Sequence, residues 1–455
     1  MSLNILPDEI LVDIFQILGE ESDYYDDLVQ DGSLYQVALS SRRLNRLATP
    51  MLYRTFIQTK HSTLKKFLRR VLEVPKLRGC VRRFGIEQLE PGDATPFECN
   101  DPNIYEAAIR AVEHDTAQSE DWIIAVRAGE WDAVIALLFV ILPNLEEIHV
   151  LAWNIPFWIK KILANCAPGQ RQEKARGYLE NVTTMYVAYW HDKPDGFTLE
   201  EINHFLKLGT VKSANFDMVL HETFLQNQPL SFSLENLRSL FFDDSHIDSH
   251  LLKDLLRSCP NLQSFRFYHC GYSNGPNGPN VFVPQRVSAG LCRARKSLRE
   301  LRLRDSTYKG QIQRPFGSLV DFEVLTDLEM DACILFGYMA DAESSFPESD
   351  SEDDEKERLR DYVKLIEVLP SSLQSLQINQ CWDVRETQEQ LADLLEKREG
   401  VVPVLKTIDI IVNTDYTLNI SVLKDLEGPF ESAGIELCVT KCSYIQHLGE
   451  MRCQN

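Results

Sequence analysis

The chain has 455 residues, 44% of them hydrophobic, which is enough for two or more domains with sizeable cores and makes disorder an unexpected default. A net charge of -21 argues against nonspecific nucleic-acid binding, which needs a basic field to displace counterions. The N-terminus has no basic segment leading into an apolar run, the longest apolar stretch (Ala133 to Leu142) is too short to span a bilayer, and eleven cysteines without a C-x-x-C pair favour reduced, buried thiols over disulfides or a zinc ribbon, so no membrane contact is expected and the chain reads as intracellular, cytoplasmic or nuclear.

The first predicted element is a helix opening in Leu6 to Phe15 (LPDEILVDIF). Pro7 suits a first turn, Asp8 and Glu9 complement the helix dipole, and Ile10, Leu11, Ile14, Phe15 and Leu18 share one face. Between Glu20 and Asp31 lie six acids and no base. A second block, VALSSRRLNRLATPMLYRTF from Val37 to Phe56, starts a helix behind Ser40-Ser41 and repeats helical spacing at Leu44, Leu47 and Ala48. Thr49-Pro50 is expected to end that helix. A unit of roughly 50 residues is marginal alone, so part of its apolar surface should be covered by the rest of the chain and part by a partner. The Leu-Pro opening, the apolar spacing and the closing Leu52-Tyr53 together resemble an F-box, although the connection Gly19 to Ser33 is longer and more acidic than usual there. The resemblance implies an F-box domain over 1–57 that docks a Skp-type adaptor and through it a cullin, with Leu6, Pro7, Ile10, Leu11, Ile14, Phe15, Leu44, Leu47 and Leu52 as adaptor-binding residues.

Lys60 to Arg83 holds nine bases against Glu73, and its apolar stripe Leu64, Phe67, Leu68, Val71 and Leu72 predicts a linking helix within 58–80, stopped by Pro75, whose bases mostly line a solvated face. From Leu145 onward apolar residues recur at relative positions 1, 4 and 6, often closed by Cys, Asn or Ser at position 9, which is the pattern of a leucine-rich repeat. The clearest copies are Leu262, Phe265, Phe267, Cys270; Leu325, Leu328, Met330, Cys333; and Leu373, Leu376, Ile378, Cys381. Others begin at Leu145, Val182, Leu237, Leu298 and Leu405, with a weak copy at Val211 and a possible early one at Val81. The repeat domain is therefore expected over 81–450. Two long gaps contain the turn-rich GYSNGPNGPN after Cys270 and an acidic run, Asp341 to Glu357, with nine acids against Lys356; both read as insertions. Ser345, Ser349 and Ser351 each precede an acid by three residues, the site preference of acid-directed kinases.

In such a repeat, strand positions 4 and 6 point into the core while 3, 5 and 7 line the opposite, concave face. That assigns His149, Tyr186, Phe241, Arg266, Tyr268, Arg302, Arg304, Asp327, Glu329 and Asp331 to a target-binding surface, with basic and aromatic residues beside an acidic strip. Such a split suits an amphoteric peptide. Cys270, Cys333 and Cys381 read as small buried side chains. Gly271 to Gly275 matches the G-x-S-x-G pattern around Ser273, but Pro276 and Pro279 follow where a nucleophile elbow needs a helix. His246 and His250 share helical spacing without the Glu of a zinc protease and read as a solvated pair at a helix start. Cys438 and Cys442 are too isolated to argue a metal site. No cofactor, catalytic residue or metal site is expected.

The fold expectation is thus an α/β fold of the repeat type, a three-helix F-box followed by a leucine-rich-repeat solenoid. The whole resembles the F-box and leucine-rich-repeat proteins abundant in fungi, down to the VRRFGI strand and the LPNLEEIHV repeat entry. The resemblance implies a non-catalytic substrate-recognition subunit of an SCF-type cullin-RING ubiquitin ligase that holds an unknown target protein on its repeats. The competing reading is an interaction scaffold that does not direct ubiquitin transfer.

Overall fold

The computed structural model describes residues 6–20, 33–58, 61–89, 102–113, 115–128, 130–152, 154–166, 178–189, 196–220, 234–270, 282–305, 315–337, 363–381, 384–413 and 420–442. The acidic run 341–357, its serines, and Ser273 with its turn-rich segment lie outside them. The chain divides into two compact units, 1–212 and 213–454.

The first unit opens with α1 (Asp8–Glu20), α2 (Ser33–Ser40) and α3 (Arg42–Leu52). Leu11, Phe15, Leu34, Ala38, Leu44 and Ala48 form their common core. Ser41 caps α3 by accepting the Leu44 N–H at 3.2 Å. Arg43 locks the helices together, donating through Nε to Asp8 at 2.8 Å and through Nη2 to the Leu6 carbonyl at 2.7 Å. Pro50 does not end α3. It sits in the last turn, where its missing N–H removes a single bond, and the Tyr53 N–H still reaches the Thr49 carbonyl at 3.2 Å.

The chain then runs through β1 (Thr55–Gln58), α4 (His61–Glu73), α5 (Pro75–Arg78) and β2 (Arg83–Leu89). Sequence reading assigned no strand to Thr55–Gln58, yet β1 pairs in parallel with β2, Phe56 opposite Phe84. Phe56 also stacks on Phe67 of α4 with ring centroids 3.9 Å apart. Three helices follow, α6 (Pro102–Val112), α7 (Thr116–Ala128) and α8 (Trp131–Ile141), before β3 (Glu147–Ala152), α9 (Phe157–Cys166), β4 (Thr184–Tyr189) and α10 (Leu199–Leu206). The apolar run Ala133 to Leu142 is α8 and the residue after it, buried throughout. Asp132 accepts the N–H groups of Trp158 (2.6 Å) and Ile159 (3.0 Å) at the start of α9, and burial, opposed in part by these bonds, pushes its carboxyl up to about 6.

The second unit contains β5 (Ser213–Asp217), β6 (Ser239–Ser245), α11 (Ser249–Arg257), β7 (Ser264–His269), α12 (Pro284–Leu291), β8 (Glu300–Asp305), β9 (Asp327–Asp331) and α13 (Ala332–Phe336). It ends with α14 (Leu365–Val368), β10 (Ser375–Cys381), α15 (Val384–Val401), β11 (Thr407–Asn413), α16 (Ser421–Lys424), α17 (Glu427–Ser432) and β12 (Glu436–Cys442). Within each unit the strands are parallel and ordered as in the sequence. Every strand from β2 to β11 begins two residues after a repeat start read from the sequence. Pairing is in register, so position 4 of each repeat stacks on position 4 of the next: Leu240, Phe265, Leu301, Leu328, Leu376 and Ile408 are all buried. Position 9 turns inward as expected at Cys270 and Cys381, and burial pushes the Cys381 thiol up to about 12 and Cys333 well above its ordinary value.

One recurring device escaped the sequence reading. The residue before a repeat start donates its side chain to a carbonyl at the entry of the preceding repeat: Asn144 to Gly79 (2.8 Å), Asn181 to Pro143 (2.9 Å), Asn261 to Glu235 (2.9 Å), Ser297 to Leu262 (2.8 Å) and Ser372 to Leu325 (2.9 Å). Each bond satisfies a turn carbonyl and couples neighbouring repeats.

Candidate functional site

Two surfaces need separate accounts. On the N-terminal helices, Leu11, Phe15 and Leu44 were expected to contact an adaptor, but they are the domain's own core, at 0%, 1% and 4% exposure. A three-helix unit this small needs them inside. Leu6, Ile14, Leu47 and Leu52 are half-buried against the same core, whereas Pro7 and Ile10 are exposed. The sequence reading missed Ile17, Tyr35 and Leu39, which are more exposed than Ile10. Ile10, Ile14 and Ile17 follow helical spacing along α1, and Tyr35 and Leu39 do so along α2. Half of the exposed large apolar side chains among the described residues fall on these two helices, which makes them the candidate interface.

On the strands, positions 3, 5 and 7 form a polar face. In the first unit His149 is buried and shares a 2.5 Å contact between its Nε2 and Glu147 Oε1, while its ring lies 5.9 Å from that of Tyr186 on the next strand. In the second unit the expected residues do come together, but their roles differ. Phe241, Arg266 and Tyr268 form a stack, the Arg266 guanidinium lying 5.0 Å from the Phe241 ring and 5.6 Å from that of Tyr268. Arg302 contacts Glu300 at 2.5 Å and Glu329 at 3.6 Å, and these acids, against the effect of burial, hold its pKa above the ordinary value. Arg304 is buried, ion-paired with Glu329 and positioned over Tyr268. Asp331 is at 0% exposure and cannot meet a target; its Oδ2 accepts the Asp305 N–H at 2.7 Å, and burial pushes its carboxyl up to about 8. Of the acids originally assigned to this surface, Asp327 alone is exposed.

At the C-terminal ends of β6 to β8 a polar chain appears that spacing did not reveal, buried at His269 and Asp305 and half-buried at His246. His269 Nδ1 lies 2.9 Å from Asp305 Oδ1, and its Nε2 lies 3.0 Å from His246 Nδ1. His246 therefore follows a strand and bonds to the neighbouring repeat, rather than pairing with His250, which is exposed on α11. Among the described residues no group of three or more His, Cys, Asp or Glu side chains could hold a metal ion, and no helix is long and apolar enough to cross a membrane.

Comparison with protein families matches residues 3–59 to an F-box-like domain and residues 247–439 to a leucine-rich repeat domain. The chain carries an F-box-like domain and a leucine-rich repeat domain. The F-box match covers the three helices and β1 with its exposed apolar rows, and the repeat match runs from α11 into the first half of β12. The strands of the first unit carry the same position-4 and position-6 burial ahead of that match: Phe84 and Ile86, Ile148 and Val150, Met185 and Val187. No curated protein matches the chain.

Proposed function

We propose that this F-box and leucine-rich-repeat protein is the substrate-recognition subunit of an SCF-type cullin-RING ubiquitin ligase. The observation that carries the reading is the joining, in one chain, of an F-box-like domain whose exposed apolar residues align on α1 and α2 with a repeat sheet presenting a polar face. F-box domains generally bind Skp-type adaptors, and the adaptor links them to a cullin. The chain acts within the cytoplasm or nucleus, performs no bond chemistry and needs no cofactor. It contributes effective concentration, holding a target near the charged conjugating enzyme so that transfer becomes intramolecular.

The adaptor contacts assigned are Pro7, Ile10, Ile17, Tyr35 and Leu39, with Ile14 at their edge. Replacing Ile10 and Ile17 by alanine should abolish adaptor co-purification without unfolding the domain, since desolvated apolar anchors each contribute about 2 kcal/mol. Retained binding in a two-component assay removes this interface. Adaptor binding without cullin recruitment, or without ubiquitin transfer to a co-purified target, would select the scaffold reading.

A further inference from the structure

Positions 3, 5 and 7 of β5 to β12 carry eight acids (Asp217, Asp243, Glu300, Asp327, Glu329, Asp331, Asp409, Glu436) against three arginines. Two of the arginines are already in ion pairs: Arg302 with Glu300 and Glu329, and Arg304 with Glu329. The third, Arg266, is stacked on aromatic rings and lies in the field of Asp243. The basic residues of this face are therefore consumed within the fold. Asp327 and Glu436 are exposed and Asp409 is half-buried, and none of the three is in an ion pair among the described residues. Asp327 and Glu436 share one cross-strand row, through Ser375 and Thr407. Burial, and after it the nearby Glu436, raise the Asp409 carboxyl above its ordinary value. Toward the other end, Asn215 Oδ1 and Asp243 Oδ1 are buried acceptors that meet no donor, and the Arg266 Nε–H between the rings is a buried donor that meets no acceptor, among the described residues.

We propose that this face receives a basic segment of the target, an extended peptide bearing lysine or arginine, laid across the strands with its cations against Asp327, Asp409 and Glu436. The proposal rests on the substrate-receptor reading and names its ligand class. Charge complementarity selects the occupant: an acidic or phosphorylated segment would meet carboxylates that no cation neutralises and find two of the three arginines already ion-paired. Eight strands spaced ~4.8 Å apart extend ~34 Å, the length of about ten extended residues.

The test uses the full chain with its co-expressed adaptor and two labelled decapeptides, one alternating Lys and Ser, the other Glu and Ser, followed by fluorescence anisotropy at low and high salt. The Lys peptide should bind, more weakly as salt rises, and the Glu peptide should not. Asp327→Asn, Asp409→Asn and Glu436→Gln combined should weaken Lys-peptide binding at least tenfold; the sites are surface positions, and an unchanged melting temperature verifies the fold. Neutralising the acids of 341–357 instead should leave binding within twofold. An unaffected triple variant, loss of binding on neutralising 341–357, preference for the Glu peptide, or no binding of either peptide overturns the proposal. Adaptor recovery in the same preparation reports separately on the receptor reading, which survives a failed peptide result.

Discussion

Arg302 and Arg304 sit two residues apart on β8 and point to the same face, yet they differ in exposure: Arg302 is half-buried and Arg304 is buried against Glu329. Arg304→Glu would place two carboxylates together out of water and should cost about 3–5 kcal/mol, as for breaking a buried pair. Arg302→Glu meets more solvent and should cost less. Denaturant midpoints of the two variants check the order, and equal losses would show that the pair is solvated. Asp331 offers a pH test. Its carboxyl titrates at about 8 in the fold but near ~4 in an unfolded chain. The folded pKa is raised, so the stabilisation from the neutral acid is complete below about pH 4 and is lost as pH rises through about 8, with a slope of at most about 1.4 kcal/mol per pH unit. Asp331→Asn cannot ionise, so its melting temperature should fall less between about pH 5 and pH 9 than that of the native chain. Parallel curves would refute the shifted carboxyl.

Helices α11 and α12 pack closely because Gly290 leaves room between them. A Cβ there would lie 2.9 Å from Leu256 Cβ and 3.0 Å from the Lys253 carbonyl oxygen, both of them atoms that cannot swing away. Gly290→Ala should therefore destabilise by about 1–3 kcal/mol through overpacking, despite alanine's better helix propensity. A gain in stability, read from urea unfolding, would mean that the helices separate freely. The side-chain bonds at repeat entries act at the same scale. Asn144, Asn181 and Asn261 tie successive turns together, and the Asn or Ser before six of the ten repeat starts was a signal available to sequence reading.

For the molecule, the boundary between the N-terminal domain and the repeats is not at the end of α3. β1 belongs to the sheet of the first unit, and Phe56 covers both Phe67 and Phe84, with centroids 3.9 Å and 5.8 Å away. A chain beginning at Tyr53 should keep the stability of the remaining fold. One beginning at Lys60 loses the strand, exposes both rings and should melt lower, by about 3–5 kcal/mol for the lost aromatic packing alone. Calorimetry of the two truncations decides it. Equal melting would place β1 outside the cooperative unit.

Local pattern alone determined the repeat. Apolar residues at positions 1, 4 and 6 located ten strands to the residue, because a period-two strand with one buried face writes its register into the chain. It also identified α1 and α3, through the spacing from Ile10 to Leu18 and from Leu44 to Ala48, while α2 carried no spacing that the sequence reading used. Burial was decided only by the tertiary structure. Spacing cannot say which side of a helical stripe faces inward, so Leu11 and Phe15 went to the core while Ile17, Tyr35 and Leu39 went to the surface. Pairing between strands is equally nonlocal. Glu329 lies 25 residues from Arg304 and His269 lies 36 from Asp305, and these contacts neutralised Arg304 and gave His269 a buried partner that spacing along the chain does not reveal. Charge along a strand is a property of sequence; charge left on a face depends on what each neighbouring strand brings to meet it.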